Sequence, residues 1–155
     1  MASYVYIKGL NELMKKLTVN LTAAITSAQI AVGELVRTEL VTPPGPVHKP
    51  IEWASVKQRR FVMALARARG GPYVRESSST SQRLLASWTV AKQGPSVVVG
   101  TRVSYAPFVQ KEGIQQKMHA NTGWVTDKAA LARVRSSGYV KRIYRDAIRH
   151  ALKVA

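Results

Sequence analysis

Apolar residues recur every three or four positions over the first quarter of the chain. Leu10, Leu13, Leu17, Leu21, Ala24, Ala28, Ala31 and Leu35 form one stripe, widened by Met14, Ile25, Val32 and Val36. That period predicts a single amphipathic helix from about Leu10 to Val41. At 1.5 Å per residue it is a rod roughly 45 Å long, long for so small a domain, so part of it is expected to pack on a neighbouring subunit. Alanine fills the middle of the stripe, which lets another backbone approach closely. Thr42-Pro43-Pro44-Gly45-Pro46 stops the helix, because proline lacks the N–H and clashes with the preceding turn.

Residues 42–52 then read as a Pro-rich loop. A second helix is expected over 53–69, with Ala54, Phe61, Ala64, Leu65 and Ala68 on its apolar side and Gly70-Gly71-Pro72 at its end. ESSSTSQ, residues 76–82, reads as a polar connector. The period then changes to two: Leu84, Ala86, Trp88 and Val90 alternate with Leu85, Ser87, Thr89 and Ala91. After the turn Gln93-Gly94-Pro95-Ser96 comes the β-branched run Val97-Val98-Val99, so a β-hairpin is expected within 83–110, with Val103 to Gln110 extending the sheet and Pro107 marking an edge or a bend. Residues 111–124 read as an irregular loop. C-terminal helices are expected over 126–154, the last from Tyr139, with Val140, Tyr144, Ala147, Ile148, Ala151 and Leu152 on its buried face. The fold class expected is α/β in the broad sense, more strictly α+β: a small antiparallel sheet packed by a long N-terminal helix and C-terminal helices. No internal repeat is visible, and 1–155 is expected to form one domain.

Charge changes this picture. The 155 residues hold 24 Lys and Arg against 8 Asp and Glu, a formal net charge of +16. Residues 1–56 are close to neutral, with five basic and four acidic side chains; the rest carries 19 basic and four acidic, a net of +15. A field of this size repels copies of itself and attracts polyanions or acidic surfaces. The neutral third is expected to bury itself against protein. Cysteine is absent, which excludes disulfides and thiolate chemistry and suits assembly in a reducing cytoplasm. The opening MASYVYIKGL lacks a basic-then-apolar leader pattern, and no run of eighteen uninterrupted apolar residues occurs, so no membrane partner is expected.

Signals for catalysis are thin. His48, His119 and His150 are isolated, none at an i, i+4 ligand spacing, so no metal is expected. Carboxylates are too sparse for paired acid–base work. Gly70-Gly71-Pro72 lacks the Lys and Ser/Thr of a phosphate loop, and no Gly-x-Ser-x-Gly elbow occurs. No cofactor and no enzymatic activity are expected; His119 with Asp127 is the one pair an inter-subunit active site would use.

The basic faces are more informative. Lys141, Arg142, Arg145, Arg149 and Lys153 fall on the polar side of the terminal helix, with Asp146 the one acid among them. A second cluster surrounds the helix at 53–69: Lys57, Arg59, Arg60, Arg67, Arg69 and Arg75, of which Lys57, Arg60 and Arg67 share a face. Such stripes either face solvent or neutralise phosphates and release counterions. Without zinc-finger cysteines or an aromatic RNA-binding strand, any DNA contact is expected to be independent of sequence. Trp88 alternates with apolar neighbours and is expected in the core. Trp53 and Trp124 follow turn-rich stretches and, with Tyr105 and Phe108, are interface candidates.

The order of segments carries a resemblance. A long helix ends in TPPGPVHKP; GPYVRES leads to LLASWTV; VVVGTRVSYAPFVQ follows, then QQKMHANTGW and the terminal helices. This resembles the tail-component family of long-tailed phages, whose members form the neck or tail-completion ring between head and tail. A Ser-rich ESSSTSQRLL stands where that family has a shorter Gly-x-Leu, and the chain runs on in basic helices where some relatives end. The resemblance covers most of residues 8–153. It implies a structural virion subunit, assembled in the host cytoplasm into a closed homo-oligomeric ring, a hexamer or similar. Other phage neck and tail proteins, and packaged DNA in the channel, would be its partners. The competing expectation from charge alone is a stand-alone nucleic-acid-binding protein without sequence preference.

Overall fold

The computed structural model describes residues 10–45, 53–70 and 82–153. It is mostly helical with one two-stranded antiparallel sheet, an α+β fold built on a long N-terminal helix. Most of the Pro-rich loop, the polar connector and Arg75 lie outside the described residues.

The long helix, α1, runs Leu10–Val41, as its periodicity predicts. No described residue before Ala28 is buried; from there on Ala28, Gly33, Val36 and Leu40 are, one turn apart or nearly so. Over Glu12–Val41 the helix is long and apolar enough, by length and composition, to cross a bilayer, which a count of uninterrupted apolar residues misses because Thr, Ser, Asn and Gln are interspersed. Its C-terminal part is instead the spine of the protein core. Arg37 and Glu39 there hold cross-element bonds, Arg37 to the Trp88 carbonyl and Glu39 to Arg133.

The hairpin β1 (Thr89–Gln93) and β2 (Ser96–Gly100) pairs Val90 with Val99 and Lys92 with Val97 around the turn at Gly94. It lies across α1 at Gly33. A Cβ there would sit 2.8 Å from a Val90 methyl and 3.1 Å from one of Val97, so the missing side chain is what lets sheet and helix meet. The sheet is smaller than expected. Leu84 to Ser87 is not strand but part of a short helix, α3 (Arg83–Ser87), with the Ser87 hydroxyl donating to the Leu84 carbonyl. Val103 to Gln110 does not extend the sheet either. Residues Ala106–Gln110 form α4, with Pro107 in its first turn, where a missing N–H costs nothing. The expected loop at 111–124 contains α5 (Lys117–Thr122), closed by Gly123 in the left-handed conformation.

Two helices follow: α6 (Asp127–Ser136), capped by the Thr126 hydroxyl, and α7 (Tyr139–Lys153), which lies along α1. The second helix, α2 (Val56–Arg69), begins three residues later than expected because Ser55 is its N-cap. Its apolar side, Phe61, Ala64, Leu65 and Ala68, is exposed, not turned to the core.

One apolar core joins Val36 and Leu40 of α1 to Leu84, Trp88, Ala106, Val109, Trp124, Ala130 and Val134. Trp88 is a core residue, as its alternation predicts. Trp124 is one too, and is corrected from the interface set: its ring is buried in this cluster and its carbonyl accepts from the Gln115 amide. Among the described residues one buried polar side chain sits inside the core, Gln110, 1% exposed. Its Nε2 donates to the Leu40 carbonyl at 2.7 Å and its Oε1 accepts from Trp88 Nε1 at 3.1 Å. The Leu40 carbonyl is one of those left without an intrahelical partner at the end of α1, so Gln110 caps the helix from within the core.

Gln110→Met keeps the volume but strands a carbonyl and an indole N–H in the core; the urea midpoint is expected to fall by the equivalent of about 2–4 kcal/mol. Gly33→Leu is expected to cost about 1–3 kcal/mol by overpacking the hairpin, seen as a lowered thermal midpoint.

Candidate functional site

Two basic helices carry the charge, and each has a different support. On α7 the apolar residues Val140, Tyr144, Ala147 and Ala151 are covered by the body. The opposite side presents Lys141, Arg142, Arg145, Arg149 and Lys153, all exposed. At 100° per residue these five fall within about a third of the helix circumference, in a stripe about 18 Å long. Duplex DNA carries a phosphate charge per ~1.7 Å of axis, so the stripe has the length and density to span several phosphates. Arg142 is held over the Tyr139 ring, 4.8 Å from its centroid, which stiffens one end of the stripe. Arg145 shares an exposed 3.4 Å ion pair with Asp146, worth little in water and easily exchanged for a phosphate. Lys153 lies in the last turn, where the helix dipole favours a cation.

On α2, Lys57, Arg60, Arg67 and Arg69 are exposed, with Arg59 beside them. Lys57, Arg60 and Arg67 do share one side; Arg69 lies on the other. The helix is fixed by local chemistry at both ends. Ser55 Oγ accepts from Gln58 N at 3.1 Å, Gln58 Oε1 accepts from Ala54 N at 2.8 Å, and Gly70 closes the C-terminus at φ 66°. It leans on α5, where Asn121 Nδ2 donates to the Gly70 carbonyl and Gly70 abuts Lys117. The α7 stripe thus belongs to the α1–α6–α7 layer and the α2 stripe to the α5 side.

The remaining candidates divide. Tyr105 and Phe108 are exposed around the start of α4, available as interface residues, and Trp53 is half-buried ahead of the Ser55 cap. His119 lies on α5, its imidazole held below the usual 6.5 by burial and then by the Arg67 guanidinium. Asp127 has other neighbours: its carboxylate accepts from the Glu112 and Lys128 amides at 2.9 and 2.7 Å. Among the described residues no cluster of three His, Asp or Glu is placed to hold a metal ion.

Sequence reasoning missed two features here. Exposed Lys128 and Arg135 on α6 add to the basic field. Glu112 and Asp127 come together on one rim, joined through Thr126, whose hydroxyl donates to Glu112 Oε2 at 2.8 Å. Comparison with protein-family models, curated proteins and solved structures finds no match for the chain.

The His119 environment sets a pH dependence. Its folded pKa is depressed, so the stability it contributes is present above pH 6.5 and is lost as pH falls from there through the folded value. The urea midpoint is expected to drop between pH 7.5 and about 5.5, and His119→Gln to flatten that part of the profile.

Proposed function

We propose that the chain is a structural virion subunit of the phage head–tail junction, a neck, tail-completion or tail-terminator protein working as a ring around the DNA channel. The observation that carries this reading is the amount of apolar helix the folded chain leaves uncovered. On α1, Leu13, Met14 and Ile25 of the apolar stripe are exposed, Met14 to 54%; on α2, Phe61 is exposed to 68%. Scattered surface leucines need no explanation, but two helices with uncovered apolar faces suit a subunit that completes itself against copies and partners. The segment order in the sequence supports the same reading. Two of the segments that carry the resemblance, LLASWTV and YAPFVQ, meet through the Trp88–Gln110 bond. In this reading the protein assembles in the host cytoplasm, joins the virion through other neck and tail proteins, and turns basic faces to packaged DNA without reading its sequence.

A stand-alone nucleic-acid-binding protein is the second reading, favoured by the α7 stripe being complete on one chain. Light scattering at low and high salt separates the two. A discrete oligomer, ring-shaped by electron microscopy, is the result expected of the virion subunit. A protein that stays monomeric alone and with tail components, yet binds any duplex with a steep salt dependence, overturns it in favour of the second. In either case Arg145→Glu with Arg149→Glu is expected to weaken duplex binding and to lower the salt slope by about 2.

A further inference from the structure

Helix α2 has strong caps and no core. Its 14 residues include none that is buried, and an isolated helix of that length is marginal in water. Only Met63 and Ala66 are even partly covered, on the side toward α5. The larger apolar face points the opposite way, with Phe61 and Leu65 one turn apart and Ala64 and Ala68 beside them, all exposed. Arg60 and Arg67 flank that face on one side and Arg69 on the other. The helix carries five cations and no acid.

A surface of the opposite character lies elsewhere on the chain. Between the hairpin, α6 and α7, over α1, runs an apolar groove of about 470 Å³, lined by Val36, Val97, Val99, Leu131 and Tyr144 among others, with Asp127 at its rim. Of the six carboxylates among the described residues three are paired with arginine and three are not. The latter are Glu12 near the start of α1, and Glu112 and Asp127 together here, next in sequence to the exposed Lys111 and Lys128. Glu34, Glu39 and Asp146 are each paired with an arginine. Asp127 and its neighbour Glu112 form no ion pair among the described residues; they are held by backbone amides and Thr126. In a chain of net charge +16, the groove thus has uncommitted negative charge beside it. No residue of α2 lines the groove, and α2 is tied to α5 with its Phe61 face outward.

We infer that the Phe61–Leu65 face of α2 seats in the hairpin groove of a second copy of this chain, with the flanking arginines against Asp127 and Glu112. The inference rests on the ring reading above and names its contact. The two patches differ, so the contact is head-to-tail. Each copy keeps one helix and one groove free for the next, the arrangement that closes into a ring when the rotation allows. Burial of Phe61 and Leu65 supplies the attraction that like-charged subunits need, and the acidic rim sets the register.

The absence of cysteine makes the test direct. Ala64→Cys, which leaves Phe61 and Leu65 in place, and Ser96→Cys are prepared separately; both positions are exposed and Ser96 lines the groove, so both variants are expected to fold and to keep the contact. Each is treated with a short bis-maleimide alone and after mixing and re-equilibration with the other, with mass followed by light scattering. A covalent dimer in the mixture, with none in either variant alone, is the result expected; the double variant is expected to give a ladder of multimers. An oligomer by light scattering without the mixed cross-link overturns this contact and leaves the ring reading standing. Cross-linking of Ala64→Cys to itself overturns it in favour of a symmetric helix pair. Cysteines that stay open to maleimide in the assembled protein assign the groove to a different partner and also overturn it. Monomers at every concentration and salt overturn the contact, and the ring falls with it only if the protein also stays monomeric with tail components present.

Discussion

Gln110 is the residue on which the arrangement turns. A buried amide is costly unless each of its atoms is satisfied, and here both are used, one on the last turn of α1 and one on the Trp88 indole. Because α1 ends in a proline run, its final carbonyls have no continuing helix to bond them; Thr42 returns to the Thr38 carbonyl and Gln110 takes that of Leu40. The same amide fixes the ring that fills the centre of the core. Arg37 then grips the Trp88 backbone from the other side, with a 2.8 Å bond from Nε to its carbonyl. Trp88 is thereby held at ring and backbone, and β1, which starts at the next residue, inherits its direction. The hairpin can cross α1 only where a glycine stands, so α1, the hairpin and α4 are fixed by one set of bonds and one missing side chain.

The sequence made the regular parts legible and misjudged the compact ones. The apolar period of α1 and the pairing of apolar and basic faces on α7 persist over many turns, so their bounds emerge directly; their faces do so in part, since Ile148 and Leu152, expected on the buried face of α7, are exposed. Between residues 83 and 124 each element is a turn or two long, too short for a period to declare itself. Leu84, Ala86 and Trp88 alternate as a strand would, yet the first two lie in a helical turn. What closes that turn is the Ser87 hydroxyl on the Leu84 carbonyl, an effect invisible to hydropathy. Ala106, Val109 and Gln110 do have helical spacing, and Pro107 suits a first turn as well as a strand edge; that spacing was the available signal for α4 and for Gln110 itself. Trp124 follows a turn-rich stretch but has its carbonyl engaged by Gln115 and its ring in the core. Sequence gives the amphipathicity of α2 correctly but not its direction, because the direction depends on Met63 and Ala66 sufficing to seat it on α5.

Charge is arranged by scarcity. Three carboxylates are spent on arginines within the chain, on exposed pairs that add little stability singly. Their effect is to remove acid from the surface, so the outward field is set by cations on α2, α6 and α7. Against that background two neighbouring carboxylates without an ion pair among the described residues change the local potential more than they would on an ordinary protein, and they do so beside an apolar groove. The five cations of α7 and the five of α2 are therefore not equivalent. Those of α7 lie opposite a face already buried. Those of α2 border a face that is not.

The length of α1 has a mechanical consequence. Fully buried positions on the helix begin at Ala28, in the grip of α7, the hairpin and the core. The ~27 Å before it is covered at most in part, at Leu17, Asn20, Leu21, Ala24 and Thr26, and extends from the core as a cantilever braced on one side. A cantilever converts small rotations at its root into translations at its tip. A tilt of ~5° at the grip moves the far end by about 2 Å, enough to shift apolar side chains from one groove of a facing helix toward the next. The fit of two valines against a glycine near the root therefore sets the aim of side chains several turns away.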